Sequence, residues 1–361
     1  MTSILRGLKR PHGSIAAAAA FVLALIVSAC DSSPSSDKPL DGIASVYRSV
    51  SGDTMGTYYR IQYRASESCD IAQSATDALL AQFNQSLSTY IPDSEISEFN
   101  RSKANRWITV SPRLLVVVQT ALEVWRQTEG AFDITIGPLV NLWGFGPEEM
   151  PALPSVSQQR EAARWVGMRQ LQIDGVNAKL LKTGDGVYID MSALAKGLGV
   201  DELAEYLAQQ DCGDYLVDIG GEMRVAGVNA KGGPWRVGIE RPVPGRQASV
   251  QRVLTLTDIA VATSGDYRNY RQVDGVRVDH VIDPRSGRPA DNQVASVTVL
   301  HPQAMYADAY ATAIMVLGTE AGLALARQLQ LPVLIIEKST DGDFVERYTD
   351  AVTNYMPGLR E

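Results

Sequence analysis

"MYADAYATAIMVLG", residues 305–318, sets one carboxylate, Asp308, and one alcohol, Thr312, four residues apart among alanines and aliphatic side chains. A run of this length, with glycine only at its end, reads as a helix entering the core. Residues four apart share a helix face, so the two polar groups point the same way. Two explanations compete on these residues alone. Asp308 can favour a helix N-terminus electrostatically while Thr312 bonds a preceding carbonyl. Alternatively, carboxylate and hydroxyl oxygens together can hold one hard divalent cation.

The neighbouring sequence sets the fold class around this helix. Downstream, 320–329 has helical spacing, and 333–337 and 344–348 read as strands. Upstream, strands are expected at 58–65, 214–219, 235–240, 252–257, 277–282 and 294–300. Helices are expected over 71–88 and 111–130, and a loop runs into a helix across 190–210. Ser111 as N-cap, Pro112 in the first turn and Gly130 as the stop mark the second of these. Strand runs interrupted by a few long helices predict α+β with antiparallel sheets, not repeated βαβ units. The chain shows no internal repeat, and its length allows one large domain or two intimately packed lobes.

The first residues read as an export signal. Arg6, Lys9 and Arg10 precede an apolar run from Ile15 to Val27 that is short for a membrane span. The run ends in "VSAC", with Cys30 followed by a polar stretch rich in serine and proline from Asp31 to Pro39. This arrangement resembles a bacterial lipobox, which implies removal of residues 1–29, lipidation of Cys30 and a flexible tether over 30–45. Asp31 resembles the inner-membrane retention signal of enterobacterial lipoproteins. The expected location is therefore the inner membrane, lipid-anchored on the periplasmic side. A folded domain is expected over 46–350, with a tail over 351–361. Loss of residues 1–29 removes three basic residues and no acidic one, taking the formal charge from -8 to -11. Such an acidic body disfavours nucleic acid as a partner. Cys69 and Cys212 remain, as a disulfide or as two free thiols.

Common nucleotide and hydrolase signatures are absent. "GDGVYID" and "DIGGEMRVAG" lack the strand-to-helix GxGxxG pattern, and no Walker lysine loop, HExxH or GxSxG occurs. Of three histidines, His12 lies in the signal and His301 precedes Pro302 at a strand end. His280, inside "DHVIDP", is the remaining candidate for a base near neutral pH. Asp279 or Asp283 is placed to orient it.

Seven polar clusters, read in order, carry more than any one of them. They include "SEIS…N" from Ser94, "GAFDIT.GPLV..WGFG" over 130–146, "D.SALAKG...D" over 190–201 and "IGGE" over 219–222. "ATSGDYR" over 262–268, "H.IDPR.G.P" from His280 and "ADA.ATA" over 307–313 follow. Together they resemble the ApbE family of flavin transferases, over about Val46 to Val316. The resemblance implies an antiparallel α+β fold with helices backing the sheets and FAD in a cleft between two lobes. It implies cleavage of FAD at its pyrophosphate, transfer of FMN to a Thr or Ser hydroxyl of a target protein, and release of AMP. Flavin-acceptor subunits of membrane redox complexes, of the sodium-pumping NADH:quinone reductase (Nqr) and Rnf types, are the implied partners.

The resemblance also assigns residues. Mg²⁺ would be held by Asp308, Thr312 and the backbone carbonyl of Ala193. His280 matches the functional histidine. FAD binding maps onto Met55, Tyr90, Ala131, Phe132, Asp133, Asp190, Lys196 and Ile282. In this assignment Tyr90 and Phe132 offer aromatic faces to flavin or adenine, Asp133 and Asp190 offer acceptors, and Lys196 meets phosphate. Glu222 and Ser264 to Asp266 match without an assigned atom. Tyr310 departs mildly from the pattern, where a smaller aliphatic residue is common. Two other activities use the same site: hydrolysis of FAD to FMN and AMP, and FAD binding without turnover.

Overall fold

Val294–His301 is buried along its first seven residues and feeds two different cores. Val297 and Val299 face one cluster while Leu300 faces the other, the alternation of a strand covered on both sides. The computed structural model describes residues 46–358 apart from 148–149, 151, 244–248, 268, 274 and 340. The expected signal over 1–29, Cys30 and the tether to residue 45 lie outside the described residues.

This strand is the sixth of eight in one sheet whose members lie side by side in chain order. They are β1 Tyr47–Thr54, β2 Thr57–Arg64, β3 Tyr215–Ile219, β4 Glu222–Ala226, β5 Ile259–Gly265, β6 Val294–His301, β7 Val333–Lys338 and β8 Phe344–Tyr348. Every neighbouring pair is antiparallel, as strand runs interrupted by only a few long helices predict. The helices are α1 Gln73–Leu87, α2 Glu95–Arg101, α3 Pro112–Gln127, α4 Gly137–Leu142, α5 Val156–Ala163, α6 Ala195–Gln209, α7 Ala304–Leu317 and α8 Thr319–Gln328.

On one face, α6 packs on β3 and β4 and α7 on β5 and β6. The opposite face is covered by the hairpin Trp235–Glu240 with Val250–Leu256 and by a 3₁₀ turn, Asp350–Tyr355. Val352 and Met356, in the stretch expected to be a tail, join that core. The described residues belong to one compact unit.

Local chemistry explains the helix ends. Ser111 caps α3 by accepting from the Leu114 amide at 3.2 Å, with proline in the first turn. Leu114, Val117, Val118, Ala121 and Val124 then bury one face. In α7, eleven of fourteen residues are buried, so this helix is internal rather than amphipathic.

Several strand readings change, and β4, Glu222–Ala226, is among the strands the sequence reading did not place. The expected strand over 277–282 is two pieces. Val276–Asp279 pairs with Tyr270–Val273, and Ile282–Asp283 pairs with Arg288–Pro289. The break leaves His280 outside either ladder, free to aim its ring elsewhere. β5 ends in "ATSG", whose alanine, serine and glycine are weak strand formers; pairing of 262–265 with β6 overrides that preference, while Ile259–Val261 pair with β4. β1 lies outside the expected strands, because as an edge strand it buries only Val50 and Thr54.

Cys69 and Cys212 form a disulfide, joining the loop after β2 to the loop after α6. It closes a sequence separation of 143 residues, a loop for which the chain-entropy argument gives about 5 kcal/mol of stabilisation.

Candidate active site

The helices α6 and α7 start against each other and cap one another. The Gly197 amide donates to Asp308 Oδ2 at 3.0 Å. In return, the Ala304 and Met305 amides donate to the two oxygens of Asp201, each at 2.9 Å. Both carboxylates thereby satisfy first-turn amides that no intrahelical carbonyl can reach. The approach demands glycine at 197, since a Cβ there would lie 2.3 Å from the Ala304 carbonyl oxygen. Arg224 Nη1 completes the arrangement at 2.8 Å from Asp201 Oδ1.

This crossing creates the polar centre. Because the Gly197 amide turns to Asp308, the Ala193 carbonyl one turn upstream accepts no hydrogen bond among the described residues. Lys196 Nζ lies 2.9 Å from Glu222 Oε1 and 3.7 Å from Asp308 Oδ1. Burial opposes the Lys196 charge, but Asp308 and Glu222 outweigh it and raise its pKa. Burial pushes the Glu222 carboxyl up to about 7, with Lys196 pulling down and Asp308 pushing up. Glu222 Oε2 is buried without a hydrogen-bond partner, a vacant acceptor inside the cluster. Thr312 Oγ1 lies 3.3 Å from Ser264 Oγ, at the end of β5. Asp308, Thr312, Ala193 and Lys196 are thus brought to one place, with Glu222 and Ser264 beside them.

His280 stands at the break between two strand pieces. Its Nδ1 lies 2.7 Å from the Asn269 carbonyl oxygen. A carbonyl only accepts, so Nδ1 carries the proton and Nε2 of the neutral ring keeps its lone pair. Neither Asp279 nor Asp283 orients the ring; Asp283 is held by Arg285 at 2.9 Å, and Asp279 acts on His280 only as a nearby charge. Burial lowers the His280 pKa, the Asn269 bond and Asp279 oppose this, and Lys196 lowers it further. The Lys196 influence ties the histidine electrostatically to the α6–α7 centre.

Tyr90 joins His280 through a shared neighbour. Tyr90 is 65% exposed and its hydroxyl donates to the Phe145 carbonyl at 3.2 Å. The Phe145 ring meets the His280 ring edge-on at 6.2 Å between centroids. Asp190 accepts from the amide and the hydroxyl of Ser192, and its charge acts with burial to raise the Tyr90 phenol. The 185–190 segment is held from below by two buried groups. Asn100 exchanges bonds of 2.7 and 2.9 Å with the Ile189 backbone, and Lys182 donates to the carbonyls of Asn100 and Val187 at 2.5 and 3.0 Å.

Other matched residues have different surroundings. Phe132 and Ala131 are buried in the main core, so the Phe132 ring packs on protein rather than presenting a free aromatic face. Both oxygens of Asp133 are engaged: Oδ1 by the Thr135 amide and hydroxyl, Oδ2 by the Met168 amide at 3.0 Å. Its carboxylate fastens two loops instead of standing open as an acceptor. Ile282 is buried in its short strand pair. Met55, at the β1–β2 turn with φ 51°, reaches Gly199 of α6 with its terminal methyl. Asp266 pairs with Lys338 and, at 3.6 Å, with Arg277. The sequence reading missed Asp201, Arg224, Asn269 and Phe145. Asp201 and Phe145 lie inside the motifs quoted above, but Asn269 acts through its backbone and leaves no side-chain signal.

Buried carboxylates, a lysine, two alcohols and a neutral imidazole in one region suit group transfer at a phosphate. The comparisons agree with that chemistry. The ApbE family model matches residues 55–335. The FAD:protein FMN transferase of Vibrio cholerae serotype O1 is 47% identical over 299 residues, covering 81% of this chain and 88% of the relative. That of Haemophilus influenzae is 40% identical over 311 residues, covering 84% and 90%. The solved structure of the flavin transferase ApbE from Vibrio cholerae superposes with a TM-score of 0.79 at 42% identity, over 86% of this chain and all of that one. The chain belongs to the ApbE family. It is a transferase enzyme acting on flavin, with the mixed, antiparallel α/β fold of those relatives.

Proposed function

We propose that this enzyme moves FMN from FAD onto a Ser or Thr hydroxyl of an acceptor protein, with AMP as the leaving group. The observation that carries the reading is the placing of Asp308, which turns Oδ1 toward Lys196 and sits one turn before Thr312 on α7. Asp308 also takes the Gly197 amide, which leaves the Ala193 carbonyl unbonded among the described residues. Carboxylate, hydroxyl and carbonyl are hard oxygen donors. Among the described residues there is no group of three or more His, Cys, Asp or Glu side chains placed for a metal. A cation here therefore rests on one carboxylate and two neutral oxygens. That set suits Mg²⁺, which keeps positions for water and substrate phosphate. When bound, Mg²⁺ supplies charge neutralisation at the pyrophosphate.

The protein's own groups do the rest. Lys196, held by Glu222, offers its ammonium to phosphate oxygens. Tyr90 offers an exposed ring for stacking on flavin or adenine. His280 Nε2 takes the proton from the acceptor hydroxyl as its oxygen attacks the FMN phosphorus. The bond from that phosphorus to the bridging oxygen breaks, and the oxygen leaves on AMP. The new bond is a phosphoester between FMN and the acceptor.

The assay is FAD, Mg²⁺ and a soluble acceptor domain with an exposed Ser or Thr, read by intact mass. Addition of FMN to the acceptor, with AMP formed in equal amount, is expected. FMN and AMP beside an unmodified acceptor would make the protein an FAD pyrophosphatase, and unchanged FAD would leave only binding.

The proposed setting is the periplasmic side of the inner membrane, anchored through Cys30. The lipobox-like "VSAC" supports it, as does a disulfide, which persists in oxidising compartments. Flavin-carrying subunits of Nqr- and Rnf-type complexes in that membrane are the proposed acceptors. Cys30→Ala is expected to shift the protein from the membrane to the soluble fraction; retention in the membrane would remove the anchor from the proposal.

A further inference from the structure

We infer that Asp201 is a positioning residue for the metal-binding face of α7. This rests on the Mg²⁺ reading above and adds to it a residue that touches neither metal nor substrate.

The argument is geometric. Asp308 lies four residues beyond Ala304, the first residue of α7, and Asp201 lies four residues beyond Gly197 in α6. Gly197 and Ala304 meet so closely that no Cβ fits between them. Each aspartate therefore reaches back across the crossing to amides in the other helix's first turn. The two caps form one closed unit, in which the position of either helix start depends on both carboxylates. Asp308 holds α6 with Oδ2 and turns Oδ1 toward Lys196. Only while α7 stays seated does that second oxygen keep its place beside Thr312 and the Ala193 carbonyl.

Packing holds α7 on the sheet, but no side chain at its own N-terminus caps its first turn. Its N-cap, Gln303, makes no side-chain cap, and Asp201 supplies both first-turn acceptors. Asp201 is buried, and Arg224 at 2.8 Å balances its charge. Arg224 also fixes where Asp201 points, because β4 carries it on a strand paired on both sides. The route from sheet to metal face is thus Arg224, Asp201, the α7 first turn and Asp308.

Asp201→Asn keeps the side-chain shape and one acceptor, but sets an amide donor against the Met305 N–H and loses the ion pair. Mg²⁺ binding, measured by titration calorimetry on the protein without FAD, is expected to weaken by at least about tenfold, the usual effect of losing a partner behind a metal ligand. The Mg²⁺ midpoint of transfer should move by the same factor, with kcat at saturating Mg²⁺ falling far less. Arg224→Met leaves both caps in place, and a smaller weakening in the same direction is expected. Thr349→Val serves as the comparison. It removes two buried hydrogen bonds, to Val333 and Leu331, outside the paired α6–α7 caps, and should lower the melting temperature without changing Mg²⁺ binding.

Parental Mg²⁺ binding in folded Asp201→Asn or in Arg224→Met overturns the inference, as does an equal shift in Thr349→Val. If the parental protein neither binds nor requires Mg²⁺, the metal reading itself fails, a result distinct from either of these.

Discussion

His280→Ala is expected to lower FMN transfer by roughly 10²–10⁴-fold, the range for loss of a general base, while FAD binding stays near parental. The ring contacts Phe145 and the Asn269 carbonyl, and the cluster that would meet the pyrophosphate lies on α6 and α7. Binding and proton removal therefore sit on different elements. The pH dependence follows from the same surroundings. Burial holds the His280 pKa below its ordinary value of 6.5, so the basic form is already dominant at neutral pH. Transfer should fall as pH drops through a value below 6.5, and that acid limb should disappear in His280→Ala. Transfer at the parental rate, or an acid limb unchanged in the variant, would remove His280 from the base role.

Asp308→Asn is the second large effect. Asparagine can still accept the Gly197 amide through its carbonyl oxygen, so the cap on α6 survives. What changes is the charge facing Lys196 and the oxygen available to a cation. Transfer is expected to fall by on the order of 10³-fold, the equivalent of several kcal/mol of charge stabilisation at the phosphate, and added Mg²⁺ should not restore it. The melting temperature should drop only modestly. Asp308→Ala is a poorer probe, because it also strands a buried amide at a cost of about 1–3 kcal/mol. An Asp308→Asn protein that keeps full Mg²⁺-dependent transfer would show that the carboxylate serves only as a helix cap.

That contrast marks how far the sequence could be read. The opening helix offered two readings of Asp308, as a partner for a helix N-terminus or as a metal ligand. The structure shows the first directly, with Oδ2 on Gly197, and leaves Oδ1 for the second. A motif records which side chains are present but not which way their oxygens face. Asp133 and Asp190 look alike in sequence, yet Asp133 is engaged at both oxygens by Thr135 and Met168, whereas among the described residues only Oδ1 of Asp190 is held, by Ser192. Phe132 shows the same limit for an aromatic ring, which the core encloses.

β2 was legible because its half-buried face imposes a period of two, and β3, β6 and β7 because short apolar runs mark strands covered on both faces. β1 and β5 were not, since an edge and an alanine-rich interior strand carry little of that signal. The break at His280 was hidden for a related reason. Apolar residues continue through Val278, Val281 and Ile282, and only the change of pairing partner reveals that the ladder stops.

The side-by-side order of β1 to β8 bears on how the chain assembles. Each new strand meets an edge built from sequence that precedes it, so a chain made from its N-terminus can extend the sheet in one direction without threading. The Cys69–Cys212 bond becomes available once α6 is complete, before β4 to β8 exist. Under this order α7 is a late arrival, laid onto β5 and β6 after α6 already waits with Asp201 exposed at its crossing point. An incomplete chain would then hold the docking carboxylate but lack the helix it receives. The face carrying Asp308 and Thr312 would come into being only late in assembly, as a built-in delay between first collapse and competence.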